Sequence, residues 1–276
     1  MSKNVIIGYN PSTAKIFKGP EEASLLASTI LSYQVEGYEH TNAHKNGGWD
    51  GRSTMFSWNG AMFPRGFVPL VERELRGAGF NVQLVNKPLP LPLGPVEPKV
   101  DEFPLTGRYD YQIETVNELV KRGLMIARVA TGGGKSRIAK LAHARIDRPT
   151  LFLTTRKALM YQMKEGFEEA GWDVGVMGDS VWTPNDKLNV GMVQTLAMRL
   201  AEPEFGDDSA AAIRQRRVRE NTIELLSKVE FLIGEEAHEA AGDSYFEVLK
   251  HCRKAEYRLA LTATPFMKTD GEANMR

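Results

Sequence analysis

The sequence predicts an α/β protein: a small α+β unit followed by a larger unit with a parallel sheet, helices on its faces and a phosphate-binding loop. Three observations carry that prediction. From Thr106 onward, short apolar runs alternate with helical patterns, as in chains of βαβ units. One such run, Leu124–Val129, enters a glycine bend that a helix-compatible stretch (Ile138 to His143) leaves. Ahead of Thr106 lies a proline-dense stretch, and before it a separate set of strand and helix patterns.

The 276 residues, 42% of them hydrophobic, allow one large or two ordinary domains. No apolar run approaches the roughly 18 residues of a membrane span, and Met1–Gly8 lacks the long apolar core of a secretory signal. A cytoplasmic protein without a membrane partner is expected. The single cysteine, Cys252, excludes an internal disulfide and reads as a packing residue. Lys and Arg number 35, as do Asp and Glu, so any nucleic-acid binding must come from a local patch or groove.

Residues 1–86 form the small unit. After the apolar Val5-Ile-Ile, Pro20–Leu31 reads as a helix with proline and acids in its first turn. Ser53–Trp58 and Ala61–Phe63 flank Asn59-Gly60, which predicts a β-hairpin. Phe67–Arg76 reads as a helix stopped by Gly77 and Gly79, and Phe80–Val85 as a strand. In Asn46–Arg52, Trp49 and Arg52 either face a nucleic acid or pack the base of the hairpin. His40 and His44 have no cysteine or further histidine close by, so a zinc site is not expected.

Pro88, Pro90, Pro92, Pro95, Pro98 and Pro104 crowd residues 87–105. Proline lacks an N–H and fixes φ, so this stretch reads as a semi-rigid spacer, with a PPII ligand as the alternative. Residues 106–276 form the larger unit, with strands expected at Leu124–Val129, Thr150–Leu153, Asp173–Val176, Leu188–Met192, Val229–Ile233 and Tyr257–Leu261. Arg214, Arg216, Arg217 and Arg219 cluster on one helical segment, either as a solvated face or as a DNA contact.

The chemistry centres on Val129-Ala-Thr-Gly-Gly-Gly-Lys-Ser136. Gly132, Gly133 and Gly134 carry no Cβ, so successive N–H groups, with that of Thr131, can surround a phosphate at a helix N-terminus. Lys135 would reach the β- and γ-phosphates of ATP, and the Ser136 hydroxyl would ligate Mg²⁺. The strict G-x-x-x-x-G-K-S/T pattern wants glycine where Val129 stands, so the match is a variant. Downstream, Phe231–His238 places two carboxylates after an apolar strand. Glu235 fits a metal contact, Glu236 polarisation of water and His238 a link to neighbouring elements; the alternative is an acidic helix start.

ATGGGKS, GEEAH and LTATP, in this order and spacing, resemble the first motor domain of superfamily 2 helicases and translocases, which implies a RecA-like P-loop fold using ATP and Mg²⁺. Tyr111-Gln112 resembles the family's adenine-reading motif. Thr155–Leu159 and Gln194–Leu196 resemble its strand-grasping motifs, which implies that Arg156, Lys157, Gln194 and Thr195 face a nucleic-acid backbone. Thr262 and Thr264 would couple that track to ATP. The small unit, through Gly37-Tyr38, Asn46–Arg52 and Pro64–Gly66, resembles the accessory domain of bacteriophage UvsW-type helicases. That likeness implies branched or forked DNA as partner, with RNA–DNA hybrids as a further class, branch migration or fork remodelling as activity, and a host cytoplasm if the chain is phage-encoded.

Two features depart from the family. Glu235 stands where the family has Asp, moving the carboxylate by about 1.5 Å, one carbon–carbon bond. The sequence also stops at Arg276, soon after LTATP, so a second motor domain with its arginine finger is expected in a longer protein, and residues 1–276 alone are expected to show almost no DNA-stimulated ATPase. The alternative functions are a non-catalytic nucleotide- or DNA-binding module and a motor subunit of a restriction or repair complex.

Overall fold

The computed structural model describes residues 3–35, 37–86, 88–204, 206, 209–235 and 243–263. The chain divides into two compact units, one ending at Pro88 and the other starting at Leu89.

The first unit runs β1 (Asn4–Tyr9), β2 (Thr13–Lys18), α1 (Glu21–Ile30), β3 (Ser32–Gln34), α2 (Asn42–Lys45), β4 (Arg52–Thr54), β5 (Met62–Pro64), α3 (Val68–Gly77) and β6 (Asn81–Asn86). Its main sheet has the order β5-β2-β1-β6, with β6 parallel to β1. The β1–β2 turn is organised by Asn10, whose Oδ1 accepts from the backbone N–H groups of Ser12 and Thr13 at 2.9 and 2.8 Å, an Asx turn. Val5, Ile7, Ala14, Ile16, Phe63 and Val82 alternate onto one buried face, and Ala23, Ala27, Val71 and Leu75 of the helices are buried with them.

The expected hairpin about Asn59-Gly60 shrinks to one bridge, Ser57 to Met62. Its two arms join different sheets, β4 pairing with β3 and β5 with β2. The cause is the core: Phe56 and Phe63 are 3% and 2% exposed, with ring centroids 6.3 Å apart, so both arms follow their aromatics inward. Trp49 is half-buried, its Nε1 donating to the Arg52 carbonyl at 2.7 Å, and the Arg52 side chain is exposed. His44 Nδ1 lies 3.0 Å from the Trp49 carbonyl, and no metal-ligand cluster of three occurs among the described residues.

The second unit runs α4 (Asp110–Arg122), β7 (Leu124–Arg128), α5 (Lys135–Ile146), β8 (Thr150–Thr154), α6 (Lys157–Glu169), β9 (Gly175–Gly178), β10 (Val181–Thr183), β11 (Leu188–Met192), α7 (Val193–Leu200), α8 (Ala210–Ser227), β12 (Phe231–Glu235), α9 (Asp243–Leu249) and β13 (Tyr257–Thr262). The sheet order is β10-β9-β11-β8-β12-β13-β7. Every pairing is parallel except β9–β10, a hairpin turned by Asp179 and Ser180 at φ 52° and 62°. Strand β9 begins two residues later than expected, and β10 was not expected at all.

Strand β8 is buried along its whole length, which fits a parallel sheet covered on both faces. Phe152 joins one core layer with Leu119, Ile138, Leu141, Met160 and Phe167. Leu151 and Leu153 point the other way, into a layer with Leu196, Leu226, Leu232 and Val248. Among the described residues, no helix is long and apolar enough to cross a membrane.

The proline-rich stretch expected as a spacer lies, from Leu89 onward, along the second unit. The backbone N–H groups of Leu93 and Gly94 donate to the carbonyls of Ile146 and Arg145, both at 3.1 Å, satisfying carbonyls at the C-terminal end of α5. Arg145 Nη1 returns a bond to the Gly94 carbonyl at 2.7 Å, and a Cβ on Gly94 would fall 1.8 Å from the Ala144 oxygen. The Tyr257 hydroxyl donates to the Pro90 carbonyl at 2.6 Å. Prolines disqualify the stretch from helix and sheet, yet leave its carbonyls as acceptors for the unit it crosses.

Candidate nucleotide and nucleic-acid site

The phosphate loop joins the end of β7 to the start of α5. Gly132 and Gly134 have φ of 77° and 79°, the left-handed region that glycine enters freely. Gly134 is the residue preceding α5 and supplies no side-chain cap, the kind of helix start at which anions bind. At Gly133 a Cβ would meet Val129 Cγ1 at 2.9 Å and the Ala130 oxygen at 3.0 Å. Thr131 and Gly132 are exposed, and Lys135 and Ser136 are half-buried in the first turn of α5.

Tyr111 and Gln112, on α4, stand against this loop. The Tyr111 hydroxyl donates to the Gly133 carbonyl at 2.5 Å. Gln112 is 2% exposed; its Nε2 donates to the Tyr111 oxygen at 3.2 Å, and its Oε1 accepts from Arg137 Nη1 at 2.6 Å. Arg137 is fixed in turn by Asp101, with Nε and Nη2 donating to its two carboxylate oxygens at 2.8 and 2.9 Å, and by the Phe103 carbonyl at 2.7 Å. Burial raises the Asp101 pKa, but hydrogen bonds from Arg137 and the Phe103 N–H, with the nearby positive charge, bring it below the usual carboxylate value. A relay thus runs Asp101–Arg137–Gln112–Tyr111–Gly133. Beside it, a cavity of about 440 Å³ is lined by Tyr111, Thr115, Met125 to Ala130 and Gly133.

The carboxyl ends of the parallel strands supply the rest. Glu235 is 5% exposed at the end of β12, paired with Leu261 of β13. Thr262 ends β13 fully buried, and its carbonyl accepts from Val129 N–H at 2.9 Å. Strand β13 therefore touches the phosphate loop directly. Glu236, His238 and Thr264 lie outside the described residues.

The proposed nucleic-acid residues follow β8 and β11 on the same rim. Gln194 Nε2, in the first turn of α7, donates to the Thr155 carbonyl after β8 at 3.3 Å, with Thr195 half-buried beside it and Arg156 exposed. Lys157 pairs with Asp179 at 2.7 Å; that hydrogen bond raises the Lys157 pKa. On α8 the arginines divide. Arg219 donates to the Leu200 carbonyl at 3.0 Å and pairs with Glu202, whereas Arg214 and Arg217 are exposed.

Residues 107–267, more than half of the chain, match the family model described as Type III restriction enzyme, res subunit. The chain belongs to this family. At the level of the res-subunit family it is a helicase-type ATPase, and its fold is the RecA-like one of superfamily 2 helicases preceded by a small separate unit. The structure is similar to the UvsW helicase from bacteriophage T4, with TM-score 0.75 and 16% identity over 99% of this chain and 97% of that one. A second T4 UvsW structure matches with TM-score 0.76 and 16% identity, and there the chain spans 56% of its relative's length. No curated protein matches the chain.

The res-subunit family uses ATP and Mg²⁺ generally, and the residues present fit both. Gly132 and Gly134 hold the left-handed bend of a phosphate loop, with open space around Gly132, and Ser136 with Glu235 offers the hard oxygen donors that suit Mg²⁺. Sequence reasoning missed Asp101, Arg137 and Asp179. Arg137 directly follows the motif serine and reads as an ordinary helix residue, while Asp101 sits among prolines without periodicity.

Proposed function

We propose that the protein is the ATP-binding part of a DNA translocase that remodels branched or forked DNA. Residues 1–86 act as an accessory unit and 106–276 as the first motor domain. The observation that supports this reading is the common rim: the phosphate loop, Glu235, Thr262, Thr155 and Gln194 all follow or end parallel strands of one sheet, where ligands of open α/β sheets bind. Lys135 would neutralise the β- and γ-phosphates, Ser136 and Glu235 would hold Mg²⁺, and Glu236 would orient the attacking water, with His238 linking that centre to neighbouring elements. Tyr111 borders the cavity where the base sits. Gln112 acts mainly by shaping the loop, since both ends of its amide are engaged within the protein. Arg156, Lys157, Gln194 and Thr195 track a nucleic-acid backbone, and Thr262 and Thr264 couple it to ATP.

The similarity to the UvsW helicase from bacteriophage T4 supports a helicase rather than a restriction motor. The family description favours a second reading, a motor subunit of a restriction complex. Binding separates them: forked DNA should compete better than blunt duplex on the first reading and no better on the second. Lys135→Ala should weaken binding of a fluorescent ATP analogue with Mg²⁺ by roughly 10-fold or more, the loss of a charge-assisted contact. Unchanged affinity would refute the nucleotide site.

A further inference from the structure

We propose that the outer face of the first unit's four-stranded sheet is a base-stacking platform for single-stranded nucleic acid, centred on Phe17. The proposal rests on the nucleic-acid reading above and assigns that partner a surface. Helices cover one face of the sheet; among the described residues of this unit, Phe17, Met62 and Val85 stand exposed on the other. Along β2, Ala14 and Ile16 are buried, while Phe17, where the β1–β2 register shifts, is 65% exposed.

The ring is held by its neighbours. A Cβ on Gly8 would lie 2.2 Å from Phe17 Cε2, so the aromatic edge occupies space that only glycine leaves free on the adjacent strand. Val85, Gly8, Lys15 and Met62 form one cross-strand row beside it, and Lys15 Nζ stands 5.4 Å from the ring centroid. No acidic residue occurs among the outward-facing positions of β1, β2, β5 and β6.

A bare aromatic on a central strand with a lysine alongside can stack one base and neutralise its phosphate, the device by which open four-stranded sheets bind single strands. Paired bases keep their faces inside the duplex, so an unpaired strand is the fitting occupant. A protein partner fits less well. Phe17, Met62 and Val85 are the large exposed apolar side chains of this face, whereas a stable interface takes about 20–30 residues a side.

The test uses the whole chain and fluorescence anisotropy with a labelled oligo-dT of 15 nucleotides and a blunt duplex of equal length. Phe17→Ala should weaken single-strand binding about 5- to 150-fold and leave duplex binding unchanged, with Phe17→Leu behaving like Ala and Phe17→Trp restoring affinity. Lys15→Gln should lower the salt slope by about 0.7, one phosphate contact. Single-strand binding indifferent to Phe17→Ala, or equal loss on both probes, would overturn the platform and leave the proposed function standing. A change of oligomeric state by Phe17→Ala in sedimentation would overturn it in favour of a protein contact. A wild-type chain that binds neither probe would overturn both readings.

Discussion

Replacing Asp101 by Asn should cost the second unit more than any other single polar change near the phosphate loop. The Asp101 and Arg137 side chains are 22% and 10% exposed, and they meet through bonds of 2.8 and 2.9 Å. Breaking a buried pair by removing one partner costs about 3–5 kcal/mol, because the remaining charge stays buried. Here Arg137 keeps the Phe103 carbonyl and the Gln112 amide oxygen, and Asn still accepts one hydrogen bond, so about 2–3 kcal/mol is expected. For a unit of this size, that lowers Tm by about 5–10 °C in a calorimetric scan. The loss should extend to binding of the ATP analogue, since the relay ends on the Gly133 carbonyl. The pH dependence has a definite sign. The folded-state pKa of Asp101 lies below its unfolded value, so the contribution is present above the unfolded pKa and disappears as pH falls through the depressed one. A double-mutant cycle with Arg137→Gln checks the pairing. Additive effects, or a Tm unchanged by Asp101→Asn, would refute the relay.

Gly134→Ala should destabilise the loop by about 1–2 kcal/mol through its positive φ alone, and by more through the side chain, because a Cβ there would fall 2.3 Å from Gln112 Nε2; an ATP-analogue titration that matches the parent protein would contradict this. His143, fully buried against Thr150, has its pKa pushed down by burial to about 4. Its neutral form is the native one, so stability should be complete above the unfolded pKa of about 6.5 and fall by roughly 3 kcal/mol as pH drops to about 4. Urea melts across that range should show the slope, and His143→Gln should flatten it.

The parallel sheet was legible because strands such as Thr150–Thr154 and Phe231–Glu235 are built on short apolar runs, Leu151–Leu153 and Phe231–Ile233. The phosphate loop was legible because three adjacent glycines before Lys-Ser have few other uses. What escaped had no local signature. Strand β10 is three residues long and depends on a left-handed Asp179-Ser180 turn, in which neither turn position is glycine. Gln112 matched a motif, yet its burial and its bond to Arg137 arise from packing between α4 and α5. The hairpin at Asn59-Gly60 misled because turn chemistry is local, whereas strand pairing is decided by where Phe56 and Phe63 find a core.

The segment from Leu89 to Pro104 grips α5 at both extremities, through Leu93 and Gly94 at its last carbonyls and through Asp101, Phe103 and Pro104 at Arg137 in its first turn. Between the two grips, Val96 is 67% exposed and Lys99 presents an exposed side chain. A protease nick after Lys99 would therefore leave residues 89–99 held to the larger piece by Leu93 and Gly94 at the last carbonyls of α5, while Asp101 still fixes Arg137 within that piece. A recombinant motor begun at Gly107, where the family match starts, would lose both grips at once. The serviceable place to divide this chain is between Pro88 and Leu89.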